Sequence, residues 1–205
     1  MAGATIPIQT GDVMMIRRLA MLLVAVLAMP VWAALETGAV APGFETRASL
    51  AGEAFDFSLS EALGRGTVVV YFYPSAYTRG CNLQAREFAL NLEKFQAAGA
   101  SVIGVSLDSI ERLNDFSSDP EYCAGKLPVA SDPNGEIARS YGIAVAEARP
   151  GMKDTRGIEI GHGFAERTTF IVTPDGRIAE TIDGVSPAEN VQRSLQAVRR
   201  LADTE

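Results

Sequence analysis

Residues 68–88 of the chain have the sequence VVVYFYPSAYTRGCNLQAREF. A run of β-branched and aromatic residues ends at Pro74, and such a run predicts a buried strand. A polar turn follows, and an apolar pattern with helical spacing then begins, with Cys81 in its first turn. The stretch therefore predicts a strand, a loop and a helix that carries a cysteine at its start.

The predicted position of Cys81 has a chemical consequence. Free backbone amides at a helix N-terminus carry partial positive charge, so they favour a thiolate, which is the reactive form of cysteine. The apolar residues at helical spacing from Cys81 are Ala85, Phe88, Leu92 and Phe95. Because they share one face with Cys81, the sulfur lies on the core-facing side of the helix. We therefore expect a reactive thiol in a shallow pocket.

The same stretch resembles a known family. Pro74, Thr78 and Cys81 match the Pro-x-x-x-Thr/Ser-x-x-Cys signature of the peroxiredoxins, and YFYP at 71–74 with Gly-Cys at 80–81 is similar to the Q-type, or bacterioferritin-comigratory, branch. The resemblance runs from about residue 38 to the end of the chain and includes RTTF at 167–170. It implies an α/β fold of the thioredoxin-like type, with a central mixed β-sheet flanked by helices.

The resemblance also implies roles for individual residues. Cys81 is the peroxidatic cysteine, Thr78 hydrogen-bonds its thiolate and the incoming peroxide, and Pro74 shields the sulfur from water. Arg167 stabilises the negative charge of the sulfur. These roles suit the side chains, because a hydroxyl donates and accepts while a guanidinium stays protonated. Without the family context, the residues favour a buried structural thiol for Cys81 and a solvated charge at a strand edge for Arg167.

Cys123 is the second of two cysteines and lies 42 residues after Cys81. By resemblance it is the resolving cysteine, which forms a disulfide with oxidised Cys81 that a thioredoxin-like dithiol then reduces. A resolving cysteine five residues after the first is excluded, because that position is Arg86. A structural disulfide and a bystander thiol remain the alternatives for Cys123. We expect Cys123 near the end of a helix or just after it, in a mobile segment.

The composition limits the partners. A formal net charge of −7 and a pI near 4.9 argue against nucleic acid and anionic membrane surfaces. Two cysteines and one histidine, His162, cannot form a tetrahedral zinc site, and a lone loop histidine is more often neither a metal ligand nor an acid–base group. We therefore expect a thiol peroxidase without cofactor or metal, and a monomer, as Q-type members often are.

Two other functions are compatible with the sequence. A thiol–disulfide oxidoreductase of the same fold is disfavoured because the chain has no CxxC pair. A non-catalytic module is the other alternative, with a disulfide that only stabilises the fold. Oxidation of the reduced protein by peroxide separates these functions from a peroxidase.

Residues 1–33 predict a leader and a signal peptide. Arg17 and Arg18 precede an apolar run at 19–29, and the sequence VWA at 31–33 is a small-residue cleavage site. Cleavage after Ala33 gives a mature domain of residues 34–205, exported to a bacterial periplasm without stable membrane insertion. An uncleaved anchor and a twin-arginine signal are the alternatives.

Periodicity and turn residues predict the remaining elements. They are a weak strand at 54–57, a capped helical turn from 58, strands at 67–73, 101–106 and 128–131, helices at 79–98 and 136–141, a helix capped by Asp108, a hairpin of 168–173 with 177–182, and a helix that begins after Ser186. Residues 144–164 predict an irregular excursion. Strands that alternate with helices indicate a parallel arrangement in the middle of the sheet.

Overall fold

The predicted strand that precedes the cysteine lies at the centre of the structure, which is a computed structural model. This strand, β3, spans Thr67–Phe72, and all six of its residues are buried. Val69 and Tyr71 belong to one core cluster, whereas Val68 and Val70 belong to the other. Alternate residues of a strand face opposite sides of a sheet. Both faces of the sheet are therefore covered, as the continuous apolar run predicts.

The structure describes residue 3 and residues 33–204. Its elements in chain order are β1 (Glu45–Leu50), β2 (Glu53–Ser58), α1 (Leu59–Leu63), β3, α2 (Arg79–Ala97), β4 (Ala100–Ser106), α3 (Ile110–Ser118), β5 (Val129–Ser131), α4 (Glu136–Ser140), β6 (Val145–Ala146), β7 (Phe164–Ala165), β8 (Thr168–Val172), β9 (Ile178–Ile182) and α5 (Pro187–Ala202). The predicted leader and signal peptide lie outside the described residues, apart from Gly3 and Ala33, and remain predictions. In residues 33–204, none of the helices has the length and hydropathy needed to cross a membrane.

Seven strands form one mixed sheet in the order β2-β1-β5-β4-β3-β8-β9. β3, β4 and β5 are parallel, and the other neighbouring strands are antiparallel. Helices α2, α3 and α5 cover one face, and α1 and α4 cover the other. The predicted mixed sheet with flanking helices is therefore confirmed, and the short pair β6–β7 lies within the excursion at 144–164.

Three local predictions differ from the structure. β1 was not predicted, because its sequence ETRASL has no apolar or β-branched run, yet it connects β2 to β5. Ser58 is the N-cap of α1, but its hydroxyl pairs with that of Ser60 instead of capping the helix. Asp108 does not cap α3: that cap is Ser109, whose hydroxyl accepts from the amide of Arg112. The Asp108 carboxylate is engaged elsewhere, in a buried cluster described below.

The absence of a side chain at Gly104 makes room for a buried aromatic ring. Gly104 on β4 pairs with Tyr71 on β3, and a Cβ at position 104 would lie 2.5 Å from Cζ and Oη of that tyrosine. Gly104→Ala is therefore expected to lower the free energy of unfolding by about 1–3 kcal/mol through overpacking. Urea denaturation measures this change. Gly43→Ala is the control, because a Cβ there would have no heavy atom within 4 Å. Equal stability of the two variants would contradict the packing argument.

Candidate active site

The loop after β3 places Cys81 where the sequence predicts it. Tyr73 and Pro74 lead into a buried turn at 75–77, and Thr78 has the extended backbone of an N-cap. α2 begins at the next residue, so Cys81 is the third residue of the helix. Its amide and sulfur therefore lie in the first turn, where backbone N–H groups have no partner within the helix and favour negative charge.

Arg167 reaches the sulfur from the neighbouring strand. Phe72 pairs with Thr168, so Arg167 lies beside the end of β3 where the loop begins. Its Nη2 donates a hydrogen bond to Sγ of Cys81 at 3.3 Å. A Cβ on Gly80 would be 3.2 Å from the same Nη2, so the glycine leaves room for the guanidinium. The structure thus brings the predicted cation and the predicted thiol together, and a charge-assisted hydrogen bond favours the thiolate.

A buried amide network holds this arginine, and it was not predicted from the sequence. Arg167 Nη1 donates to Oε1 of Gln84, and Nε2 of Gln84 donates to Oδ1 of Asn190 at 2.9 Å. The hydroxyl of Thr169 donates to the same Oδ1 at 2.7 Å, and Gln84 and Asn190 are fully buried. Buried polar groups need such partners. One feature of the sequence could have indicated this network: Gln84 is a polar residue on the core-facing, otherwise apolar face of the helix, three residues after Cys81.

Thr78 and Pro74 are in place, but Thr78 makes a different contact from the predicted one. Its hydroxyl donates to the carbonyl oxygen of Ser75 at 2.9 Å rather than to the sulfur of Cys81. Pro74 is partly buried at the beginning of the loop. The contact of Thr78 with the thiolate and peroxide and the shielding role of Pro74 therefore remain predictions.

Cys81 is more buried than the predicted shallow pocket implies, because only 2% of the residue is exposed. The ring of Tyr71 packs beneath α2, with its centroid 4.5 Å from that of Phe88. Burial is the main cause that raises the pKa of Tyr71, and the nearby Cys123 and Cys81 add to it. In this conformation Cys81 therefore presents little surface to solvent.

Cys123 lies in the segment between α3 and β5. This is the second of the two predicted positions, just after the end of the helix. It is fully buried in the same core cluster as Cys81, and both cysteines are free thiols. Burial raises the pKa of the Cys123 thiol, and the negative charge of Asp119 adds to this effect. Cys123 is therefore a neutral thiol in this conformation, without a disulfide to Cys81. The predicted mobility of its segment remains a prediction.

One aromatic side chain connects the two cysteine-bearing segments. The ring of Tyr77, in the loop before Cys81, contacts the rings of Phe116 and Tyr122 at centroid distances of 5.0 and 5.9 Å. The guanidinium of Arg156, from the excursion, lies 3.3 Å from the centroid of the Tyr77 ring. Movement of either cysteine segment therefore has to break contacts made by Tyr77.

The sequence of the chain matches a known protein family and several of its members. The AhpC/TSA family model matches residues 37–181. Peroxiredoxin Bcp of Xanthomonas campestris is 29% identical over 154 residues, which are 71% of this chain and 89% of the relative. This chain belongs to the AhpC/TSA family as a Q-type peroxiredoxin.

Solved structures agree with that assignment. Peroxidoxin BcpB of Mycobacterium tuberculosis superposes on this peroxiredoxin with a TM-score of 0.67 at 26% identity, covering 82% of this chain and 98% of the other. Peroxiredoxin Q of Xanthomonas campestris gives a TM-score of 0.60 at 27% identity, covering 76% and 90% of the two chains. The predicted thioredoxin-like fold and the peroxidase class of this peroxiredoxin are therefore confirmed.

Proposed function

We propose that this peroxiredoxin reduces hydrogen peroxide and organic hydroperoxides at Cys81. The thiolate attacks the terminal oxygen of the peroxide, the O–O bond breaks, and the sulfur becomes a sulfenic acid. The second oxygen leaves as water or an alcohol after taking up a proton. The 3.3 Å hydrogen bond from Arg167 to Sγ of Cys81 carries this proposal, since it places a permanent cation on a sulfur at a helix N-terminus.

We further propose that Cys123 resolves the sulfenic acid. Its sulfur attacks the oxidised sulfur of Cys81, a disulfide forms, and the hydroxyl of the sulfenic acid leaves as water. A thioredoxin-like dithiol then reduces the disulfide by exchange and restores both thiols. The location of both cysteines in one core cluster supports the pairing.

The resolving step requires a local change of structure. A disulfide joins two sulfurs at about 2 Å, whereas here both residues are buried with separate thiols. The first turn of α2 and the segment around Cys123 therefore unwind, and the ring contacts of Tyr77 with Phe116 and Tyr122 break. We expect hydrogen exchange at 79–86 and 117–126 to differ between the reduced and oxidised forms.

Cys123→Ser tests the resolving role. With stoichiometric peroxide, the wild type is expected to lose two thiols to an intramolecular disulfide, whereas the variant loses one thiol and gains one oxygen. Turnover with a thioredoxin-like donor is expected to fall by about 10-fold or more, because the disulfide that the donor reduces cannot form. Intact mass and thiol counting measure both outcomes. Lys126→Ser, which introduces the same side chain at an exposed position of the segment between Cys123 and β5, is the control. An unchanged mass pattern in Cys123→Ser would contradict the assignment.

The same mass experiment separates the alternatives. A non-catalytic module keeps both thiols in the presence of stoichiometric peroxide. A thiol–disulfide oxidoreductase exchanges disulfides with a protein substrate but leaves peroxide unreacted. Rapid consumption of one peroxide for each Cys81 supports the peroxidase.

A further inference from the structure

A buried carboxylate fixes the loop that carries the reactive cysteine. Asp108 has no exposed surface. Its Oδ2 accepts from the amide of Ala76 at 2.7 Å, and its Oδ1 accepts from the hydroxyl of Ser75 at 2.9 Å. The carbonyl of Ser75 in turn accepts from the hydroxyl of Thr78, which is the N-cap of α2. Asp108 is therefore joined by consecutive hydrogen bonds to the start of the helix that contains Cys81.

The single histidine of the chain contacts the same carboxylate. Nε2 of His162 is 2.8 Å from Oδ1 of Asp108, and its Nδ1 is 2.7 Å from the carbonyl oxygen of Gly163. Neither oxygen carries a proton to donate, so this geometry favours the imidazolium, in which both ring nitrogens are donors. Burial lowers the pKa of His162, but the hydrogen bond to Asp108 and the charge of Asp108 outweigh it, so the pKa is above its ordinary value.

Other charged groups surround this pair. Arg112 on α3 donates to Asp108 and also to Asp154 of the excursion, each at 2.8 Å. Arg149 lies over the ring of Phe164, which packs beside His162. Arginines stay protonated at all ordinary pH values, and the hydrogen bonds that outweigh burial keep the pKa of Asp108 below its usual value. His162 is therefore the group of this cluster that changes charge between the acidic range of the carboxylates and the strongly basic range of the arginines.

We propose that His162 is a positioning residue for the reaction of Cys81 with peroxide, and that it acts through Asp108 on the loop at 75–78. The imidazolium holds Asp108 in the orientation that fixes the amide of Ala76 and the hydroxyl of Ser75. When the imidazolium loses a proton, the Nδ1 proton that faces the neutral carbonyl of Gly163 leaves, because the carboxylate retains the Nε2 proton. The ring becomes neutral, its attraction for Asp108 weakens, and the loop loosens. The inference rests on the proposed peroxidase chemistry of Cys81.

The contact between His162 and Asp108 is expected to weaken as the pH rises. Because the folded state raises the pKa of His162, the contribution of the contact is fully present below the ordinary pKa. It is lost as the pH rises through the raised pKa of the folded state. The rate of Cys81 oxidation is therefore expected to fall as the pH rises through the raised pKa of His162.

The first test uses the wild-type protein and NMR. Because the chain has one histidine, the imidazole signals of His162 need no assignment by mutation. The amide signal of Ala76 is expected to titrate with the same midpoint as the imidazole signals. An amide signal of Ala76 that stays constant while His162 titrates would overturn the proposal.

The second test measures the rate of Cys81 oxidation by hydrogen peroxide from about pH 5 to about pH 9. His162→Gln is expected to lower the rate at neutral pH by about 10-fold to 100-fold and to remove the alkaline fall. Ser75→Ala keeps the ion pair but breaks one link to the loop, so a smaller loss with a shallower alkaline fall is expected. Asp56→Asn is the control, since it breaks an exposed ion pair on the edge strand β2.

The outcomes distinguish the two levels of inference. A wild type that leaves peroxide unreacted, or consumption that persists in Cys81→Ser, overturns the proposed function. A wild type that reacts, combined with a His162→Gln variant whose rate still falls at alkaline pH, overturns only the positioning role. A merely structural histidine would lower the thermal midpoint but leave the shape of the pH profile unchanged.

Discussion

Replacing Cys81 with serine is expected to lower the rate of peroxide reduction by at least about 1,000-fold, since the proposed reaction takes place on this sulfur. A serine hydroxyl is not ionised near neutral pH, and its oxygen cannot accept the peroxide oxygen as a sulfenic acid does. Arg167 and the helix terminus would then surround a group that cannot react. The consumption of hydrogen peroxide with a thioredoxin-like donor measures the loss.

A control on the same helix turn makes the result specific. Leu83→Ser introduces the same side chain two residues away, at a position that is 44% exposed. This variant is expected to keep the wild-type rate, because an exposed substitution leaves the sulfur and its cation in place. Peroxide consumption by Cys81→Ser at the wild-type rate would show that the chemistry resides elsewhere in the chain.

Arg112→Met is expected to have the largest effect on stability. The arginine lies between the carboxylates of Asp108 and Asp154, whose side chains have no exposed surface. It also donates to the carbonyl of Ala76 at 2.9 Å. His162 still contacts Asp108 and Arg156 still contacts Asp154 in this variant. However, three charge-assisted hydrogen bonds to buried oxygens are lost, and the free energy of unfolding is expected to fall by about 3–5 kcal/mol. Urea denaturation at neutral pH measures the change.

The pH dependence of that loss identifies its origin. The pKa of Asp108 is lowered in the folded protein, so the stability from its ionised form is present above its ordinary pKa and is lost as the pH falls through the lowered value. The difference between Arg112→Met and the wild type should shrink over the same acidic range. Arg47→Met, in an exposed pair with Asp56, should change stability by about 1 kcal/mol or less. Equal losses in the two variants would refute the buried-charge argument.

The sequence predicts those parts of the fold that local patterns determine. The continuous apolar run of β3, the helical stripe of α2 and the Pro-Asp-Gly turn between β8 and β9 each produce the predicted element. β1 escapes prediction because its strand conformation depends on pairing with β2 and β5 rather than on its own residues. Tertiary context of this kind overrides local propensity.

In the active site, too, residues that belong to local motifs were predicted, whereas contacts between distant residues were not. Cys81 and Arg167 were predicted because the motif around each resembles a family, and the structure brings them into contact. Asp108 was misinterpreted as a helix cap, since the sequence shows a cap pattern but not the distant partners that engage the carboxylate. Those partners, Ser75 and His162, are 33 and 54 residues away. A buried polar network of this sort is determined by tertiary packing, which single-sequence patterns do not encode.

The 86-residue separation between Arg167 and Cys81 has a consequence for biogenesis. During synthesis the cysteine emerges long before β8, so the nascent chain carries the thiol without the guanidinium that activates it. The non-local pairing of β8 with β3 assembles late compared with local helix formation. The enhanced peroxide reactivity proposed for this sulfur is therefore expected only after the sheet is complete, and an unfinished chain is expected to react with peroxide as an ordinary cysteine does.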